Sequence, residues 1–173
     1  RPGEIAVFAA PGGASVVQLV HAEEAALTEK GIASKRLLTS HAFHSPMMDG
    51  IVDRFAGIVA AVPRRAPQRR FVSSLTGDWI TDGQATDPAF WARQLREPVR
   101  FAEGARRLFE DPDRVLLEVG PGQTLAGLVK QHPGRSKSQA VVTTLNVAQD
   151  WTADVRAALT ALGRLYLAGA DPD

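Results

Sequence analysis

The chain has 173 residues, of which 45% are hydrophobic and 23% charged, and its formal net charge is +1. This composition is that of an average soluble globular protein with room for one ordinary domain or two small ones, and the charge indicates neither a nucleic-acid nor a membrane partner. The chain lacks cysteine, which excludes disulfides, Cys-based zinc sites and a thiol nucleophile and favours a cytoplasmic protein. No apolar run reaches the roughly 18 residues of a membrane span, and the start is not a signal peptide. The sequence at each end of the chain favours the interpretation that it is a piece of a longer protein.

The first third of the chain alternates strand-like and helix-like segments. Apolar or β-branched runs predict strands at residues 5–9, 15–20 and 35–39. An Ala- and Glu-rich stretch at 22–30 predicts a helix capped by Gly31. A longer helix follows and ends at a proline, with an apolar stripe at helical spacing made of Met47, Ile51, Val52, Phe55, Ile58, Val59 and Val62. The order β-β-α-β-α predicts a ferredoxin-like module or a fragment of one.

The remainder predicts α/β layering, because strands and helices alternate. Apolar runs predict strands at residues 71–74, 115–119 and 140–144, and the run at 115–119 is the strongest candidate for a buried strand. Asp87 followed by Pro88 has the form of a helix N-cap with proline at the first helical position. Helices are predicted around four sets of apolar residues: Phe90, Trp91 and Leu95; Phe101, Ala105, Leu108 and Phe109; Leu125, Leu128 and Val129; Val155, Leu159, Leu162 and Tyr166.

Two segments have some features of phosphate sites, although a structural interpretation is favoured for each. Residues 63–70 contain four arginines and two prolines, but neither aromatic residues nor a glycine cradle accompany them, which favours a solvated linker. Gly120-Pro121-Gly122 follows a predicted strand but lacks the spacing of a P-loop, which favours a tight turn into the next helix.

The candidate for acid–base chemistry is a pair of histidines, His41 and His44, three residues apart. A metal site is disfavoured, because no further ligand lies nearby at a plausible spacing. A purely structural histidine is the usual alternative. The pair lies in a loop between a predicted strand and a helix N-terminus, however, and such loops commonly carry a general base.

No serine of the chain has the surroundings of an acyl-transferring nucleophile. Such a serine needs a sharp strand-to-helix turn of the Gly-x-Ser-x-Gly type, which exposes its hydroxyl. Gly13-Ala14-Ser15-Val16-Val17 begins like this motif but lacks the final glycine, and Ser15 leads into a predicted strand. The chain therefore contains a candidate base without a candidate nucleophile.

Several motifs, in this order, closely resemble those of acyltransferase domains in type I polyketide synthases. The motif near residue 120 also resembles the stand-alone malonyl-CoA:acyl carrier protein transacylases. The motifs are Ser40-His41-Ala42-Phe43-His44-Ser45-Pro46-Met47-Met48, Phe71-Val72-Ser73-Ser74-Leu75-Thr76-Gly77, Phe90-Trp91 with Leu95-Arg96-Glu97-Pro98-Val99-Arg100-Phe101, Leu117-Glu118-Val119-Gly120-Pro121-Gly122, and Ala161-Leu162-Gly163-Arg164-Leu165-Tyr166-Leu167-Ala168-Gly169.

The resemblance implies an α/β fold of two lobes and covers nearly the whole chain. Residues 1–62 would form most of a ferredoxin-like small subdomain, and residues 63–135 the returning part of an α/β-hydrolase-like large lobe. Residues 136–173 would be a post-acyltransferase linker with a terminal helix. The chain departs from the family at its N-terminal side, because it contains neither the Gly-His-Ser-x-Gly elbow nor the arginine that binds the substrate carboxylate.

The resemblance also implies a ping-pong transfer of a malonyl unit from malonyl-CoA, through a serine ester, to the phosphopantetheine thiol of an acyl carrier protein. His44 aligns with the base, and Gln94 with the residue whose backbone carbonyl holds the second ring nitrogen. His41, Ala42 and Phe43 align with the acyl-selectivity motif, in which Phe43 favours malonyl over methylmalonyl. No bound cofactor is implied. The partners would be the carrier protein, a ketosynthase domain and the N-terminal half of the acyltransferase.

Two other functions compete with this one. The missing elbow favours a non-catalytic structural or docking fragment that packs on a ketosynthase or carrier protein, and without its nucleophile the chain alone is expected to be inactive. A small ferredoxin-like binding protein is the second alternative. The ordered motifs after residue 70 argue against it, because such a module would not need them.

Overall fold

The computed structural model of the protein describes residues 25–31, 41–145 and 151–170, which form an α/β fold. Residues 25–29 are helical, and Gly31 follows them with a φ of 65°, as predicted for a glycine cap. The strands predicted at 5–9, 15–20 and 35–39 lie outside the described residues, and so do the strands of the predicted ferredoxin-like subdomain.

The remaining helices and strands follow in chain order. The helices are a 3₁₀ helix, Pro46–Met48, and six α-helices: α1 (Asp49–Ala60), α2 (Asp82–Thr86), α3 (Pro88–Arg96), α4 (Phe101–Phe109), α5 (Thr124–Gln131) and α6 (Trp151–Leu167). The strands are β1 (Val72–Ser73), β2 (Asp78–Trp79), β3 (Leu116–Glu118) and β4 (Val141–Thr143). Within the described part of the chain, no helix has the length and apolar character needed to cross a bilayer.

The chain divides into two compact units, each built from separate stretches of sequence. One consists of Ile80–Val99 together with the described residues up to 70, and the other of Phe71–Trp79 with the described residues from Arg100 onward. The chain thus leaves the first unit for β1 and β2, returns to it for α2 and α3, and leaves it again at α4. The subdomain bounds expected from the resemblance, 1–62, 63–135 and 136–173, stay a prediction.

The first unit packs α1 against α3, and the start of α3 confirms its predicted cap. The Asp87 carboxylate accepts a hydrogen bond from the Ala89 backbone N–H at 2.9 Å, directly before Pro88. Helix α2 was not predicted from the sequence, although its first turn carries a capping box. In that box Thr81 and Gln84 each accept a hydrogen bond from the other's backbone N–H. Met48, Phe90 and Ala92 are buried.

The second unit contains two separate pairs of strands. Strands β1 and β2 form a small antiparallel hairpin that the sequence predicts only in part, since β2 was missed. Strands β3 and β4 pair in parallel, with Leu117 opposite Val142, and α5 provides the connection between them. Val142 is 2% exposed and lies at the centre of this βαβ unit.

The prediction that residues 115–119 form a buried strand is wrong, although the strand itself is present. Leu117 is 40% exposed and Val119 79% exposed. Among the described residues β3 pairs only with β4, so its other edge and one of its faces remain uncovered. Helix α5 is uncovered in part as well, because Leu125 is 49% exposed, whereas Val129 is buried.

The turn between β1 and β2 depends on Gly77, because its backbone is left-handed and its surroundings are closed. Gly77 has a φ of 67°, and a Cβ built on it would lie 2.6 Å from the Cβ of Glu103. An alanine would therefore combine a left-handed backbone with a steric clash against helix α4.

We predict that Gly77→Ala lowers the free energy of unfolding of the chain by at least about 2 kcal/mol, the sum of the left-handed penalty and overpacking. Gly57→Ala is the matched control, because Gly57 lies inside α1 with open space around it and should gain up to about 1 kcal/mol of stability. Denaturant unfolding of both variants measures the difference. Equal stability of the two variants would contradict the role given to Gly77.

Candidate active site

The predicted base, His44, has an uncommon backbone conformation. Its φ is 60°, and among the described non-glycine residues it is the one with a positive φ. Histidine tolerates this left-handed region better than most residues, but the conformation is still a strained one that other interactions must hold. Such residues concentrate at functional sites, which supports the choice of His44 over the other histidines.

The end of helix α3 holds His44 in place through two carbonyl oxygens. The His44 backbone N–H donates to the carbonyl of Leu95 at 3.1 Å, and the His44 Nδ1 lies 3.1 Å from the carbonyl oxygen of Glu97. Helix α3 ends at Arg96, and the last carbonyls of a helix, here including that of Leu95, have no partner within it. His44 therefore binds one acceptor in the last turn of α3 and a second at Glu97, the residue that follows the helix.

This contact fixes which nitrogen of His44 can act as a base. A carbonyl oxygen can only accept a hydrogen bond, so Nδ1 must carry the proton when it contacts Glu97. In the neutral ring the proton-free nitrogen is then Nε2. Among the described residues we find no hydrogen-bond partner of Nε2, and His44 is only half-buried, so this nitrogen can reach a substrate group.

The predicted partner of His44 was the Gln94 carbonyl, and the structure corrects this to Glu97. Gln94 lies in the last turn of α3, and Glu97 is the residue that follows the helix. The sequence alone does not say which of these carbonyls the ring reaches, because that depends on how α1 and α3 pack. Gln94 makes other interactions.

The three residues of the predicted selectivity motif precede His44 in the same loop. His41 is exposed, Ala42 is half-buried, and Phe43 is 49% exposed. At this exposure Phe43 is not a core residue beneath the loop. Among the described residues there is no group of three or more metal-binding side chains, so His41 and His44 have no third ligand there.

Comparison with known proteins identifies the family. The family model described as "Acyl transferase domain" matches residues 9–172. The chain belongs to the acyltransferase domains of type I polyketide synthases. A phenolphthiocerol/phthiocerol polyketide synthase protein of Mycobacterium tuberculosis is 37% identical over 147 residues, which are 85% of this chain and 10% of that protein. Spectinabilin polyketide synthase system protein NorB of Streptomyces orinoci is 34% identical over 179 residues, or 100% of this chain and 8% of that protein.

Solved structures confirm the acyltransferase fold. The acyl transferase domain of SpnD, crystallised in complex with 2-(pent-4-yn-1-yl)malonyl, has a TM-score of 0.80 and 38% sequence identity. The match covers 91% of this chain and 38% of that one. The chain therefore spans well under half of that domain and about a tenth of the length of the curated synthase relatives it matches.

The turn at Gly120–Gly122, for which the sequence favours a structural role over phosphate binding, leads into a helix N-terminus that is already bound by a side chain. The Glu118 carboxylate accepts hydrogen bonds from the backbone N–H groups of Leu125 at 3.1 Å and Ala126 at 2.8 Å. These are two of the free N–H groups of the first turn of α5, where a negative charge is favourable. The turn Gly120–Gly122, with φ values of 145° and 97° at its two glycines, lets the chain fold back for this contact.

One arginine of the linker at residues 63–70, Arg64, has a structural role. The Arg64 guanidinium contacts the carbonyls of Val59 and Val62 at the end of α1, and its Nε donates to the Thr86 carbonyl at 2.9 Å. Arg64 thus caps α1 and joins it to the end of α2, which favours the linker interpretation over phosphate binding for this residue.

We predict that Glu118→Gln destabilises the chain by about 1–2 kcal/mol, because the neutral amide has one acceptor oxygen where the carboxylate has two. Glu110→Gln serves as control, since the Glu110–Arg107 pair is exposed and such pairs contribute about 0–1 kcal/mol. Thermal unfolding measures both variants at low salt. A Glu118 variant as stable as the Glu110 variant would contradict the capping role.

Proposed function

We propose that this chain is the base-bearing part of a malonyl transferase, with His44 as the general base. The observation that supports this role is the contact of His44 Nδ1 with the Glu97 carbonyl, which leaves Nε2 as the acceptor in a half-buried loop. Family membership supports the reaction type, since the relatives it resembles are polyketide synthases and an acyl transferase domain.

In the proposed reaction, the Nε2 of His44 takes the proton of a serine hydroxyl as the serine oxygen attacks the thioester carbonyl of malonyl-CoA. The tetrahedral intermediate collapses with cleavage of the C–S bond, and His44 returns the proton to the leaving coenzyme A sulfur. His44 then takes the proton of a phosphopantetheine thiol, whose sulfur attacks the serine ester. Cleavage of the C–O bond releases the malonyl thioester, and the serine oxygen regains the proton.

The serine of this reaction has to come from outside the 173 residues, because none of them forms a Gly-x-Ser-x-Gly turn. We infer that the N-terminal half of the same acyltransferase domain supplies it, and that the chain alone is inactive. The acyl carrier protein and the adjoining ketosynthase domain are the further partners in the cytoplasm. No bound cofactor takes part.

A non-catalytic docking fragment is the second candidate, and the exposed apolar stripe of α6 is the observation in its favour. Val155, Leu159, Leu162 and Tyr166 recur at helical spacing on this helix, and Tyr166 is 72% exposed. The left-handed, doubly held conformation of His44 argues for the catalytic function, because a docking fragment has no use for it.

We predict that His44→Ala lowers malonyl transfer by about 10²- to 10⁴-fold in a complete acyltransferase domain that contains this chain, which is the usual contribution of a general base. His132→Ala is the control, since both ring nitrogens of His132 already have backbone partners, the Ala102 carbonyl and the Gly134 N–H. Transfer from labelled malonyl-CoA is measured for both. A folded His44 variant with near-normal transfer would refute the assignment.

We also propose that Phe43 selects malonyl over methylmalonyl. Phe43 directly precedes the base, so its ring would border the α-carbon of the acyl group bound on the serine. A phenyl ring there fills the space that an α-methyl group needs, and such a clash in a packed site relaxes poorly.

We therefore expect Phe43→Ser to shift the product ratio of a complete domain toward methylmalonyl when both coenzyme A esters compete at equal concentration. One methylene is worth roughly 10- to 200-fold in such pockets, and the shift should fall within that range. Phe71→Ser, a change of another exposed phenylalanine in a different unit, controls for the loss of a ring. An unchanged ratio in an active Phe43 variant would remove this residue from the selectivity argument.

A further inference from the structure

The loop that carries His44 is closed by a buried hydroxyl next to the histidine. Ser45 is 8% exposed. Its Oγ donates to the Ala42 carbonyl at 2.6 Å and accepts from the Met47 backbone N–H at 3.2 Å. One side chain thus links the backbone before His44 to the backbone after it, and it also caps the 3₁₀ helix Pro46–Met48.

A second contact closes the same loop. The Ala42 backbone N–H lies 3.4 Å from the Met47 sulfur. Both polar groups of Ala42 are therefore engaged with the chain that follows His44. Between Ala42 and Ser45 the chain consists of Phe43 and His44 alone, so this short backbone segment has little freedom.

The closure of this loop stabilises a left-handed conformation of His44 that is intrinsically unfavourable. For an L-residue the left-handed region costs roughly 1–2 kcal/mol. The contacts of His44 with the Leu95 and Glu97 carbonyls offset part of that cost. The Ser45 hydroxyl constrains the residues on either side of Phe43 and His44 through its bond to the Ala42 carbonyl. Without the hydroxyl, His44 can relax to a negative φ, which would carry its ring away from the Glu97 carbonyl.

We propose that Ser45 is a positioning residue that selects the Nδ1–H tautomer of His44 by holding the histidine in its left-handed conformation. Ser45 does not itself touch the reacting atoms. Its catalytic meaning rests on the proposed function of His44, but its effect on the histidine ring is a property of the chain alone. Because the same hydroxyl binds the Ala42 carbonyl, Ser45 also sets the position of Phe43.

Long-range ¹H–¹⁵N correlation spectra of the ¹⁵N-labelled chain at mildly alkaline pH test the proposal, because they report which imidazole nitrogen carries the proton. We expect the Nδ1–H tautomer of His44 in the wild-type chain and in Ser45→Thr, which keeps the hydroxyl. In Ser45→Ala the Nδ1–H population should fall by about half or more, since the bond to the carbonyl sets the tautomer. His44→Ala identifies the resonances.

Ser73→Ala is the matched control. Ser73 is also buried, its Oγ also accepts from the backbone N–H two residues later, that of Leu75, and it belongs to the other unit. This variant should lose stability without a change in the His44 tautomer. If circular dichroism shows that Ser45→Ala does not fold, Ser45→Cys, which keeps the shape and weakens both bonds, takes its place with the same expected result.

Three outcomes would overturn the proposal: a wild-type chain without the Nδ1–H tautomer, an unchanged tautomer in the folded Ser45 variant, or an equal change in Ser73→Ala. The function of His44 is tested separately by transfer in the complete domain. A His44→Ala domain that still transfers malonyl would refute the function and leave the tautomer result standing, whereas an unchanged tautomer in Ser45→Ala would refute only the role of Ser45.

Discussion

The candidate site depends on two carbonyl oxygens that helix α3 cannot satisfy itself. Leu95 lies in the last turn of α3, where carbonyls lack an intrahelical donor, and Glu97 follows the helix; His44 binds these two carbonyls through its backbone N–H and its Nδ1, respectively. One helix end thereby fixes the backbone and the ring of the same residue. The proton on Nδ1 follows from this arrangement, and with it the identity of Nε2 as the basic nitrogen.

The sequence predicted the parts of the fold that depend on local chemistry. The cap at Asp87–Pro88, the proline-terminated helix α1 and the strands β3 and β4 are all present, because each follows from residues close together in the chain. The sequence did not reveal β2 or α2, because two-residue strands and one-turn helices have too few residues to show a hydrophobic period.

The predictions that failed depended on packing between distant residues. The burial of β3 was inferred from its apolar run, but burial also needs neighbours on the second edge, and the described residues provide none for Leu117 or Val119. The prediction that the Gln94 carbonyl holds the His44 ring failed for a similar reason, since the ring contacts the carbonyl of Glu97. Pro98 marks the end of α3 in the sequence, whereas the distance of each carbonyl from the His44 ring follows from how α1 lies on α3.

The groups that hold His44 all belong to one of the two units, which separates the geometry of the base from the rest of the chain. The loop, Leu95 and Glu97 lie in the unit that contains α1 and α3, so its packing alone can set the left-handed backbone and the ring contact. Glu118 and the βαβ unit lie in the other. A change that loosens β3 or α5 should then alter stability before it alters the histidine. A change in the loop should alter the geometry of the histidine before it alters stability. In a mutant series, the effects on stability and on base geometry should therefore not correlate.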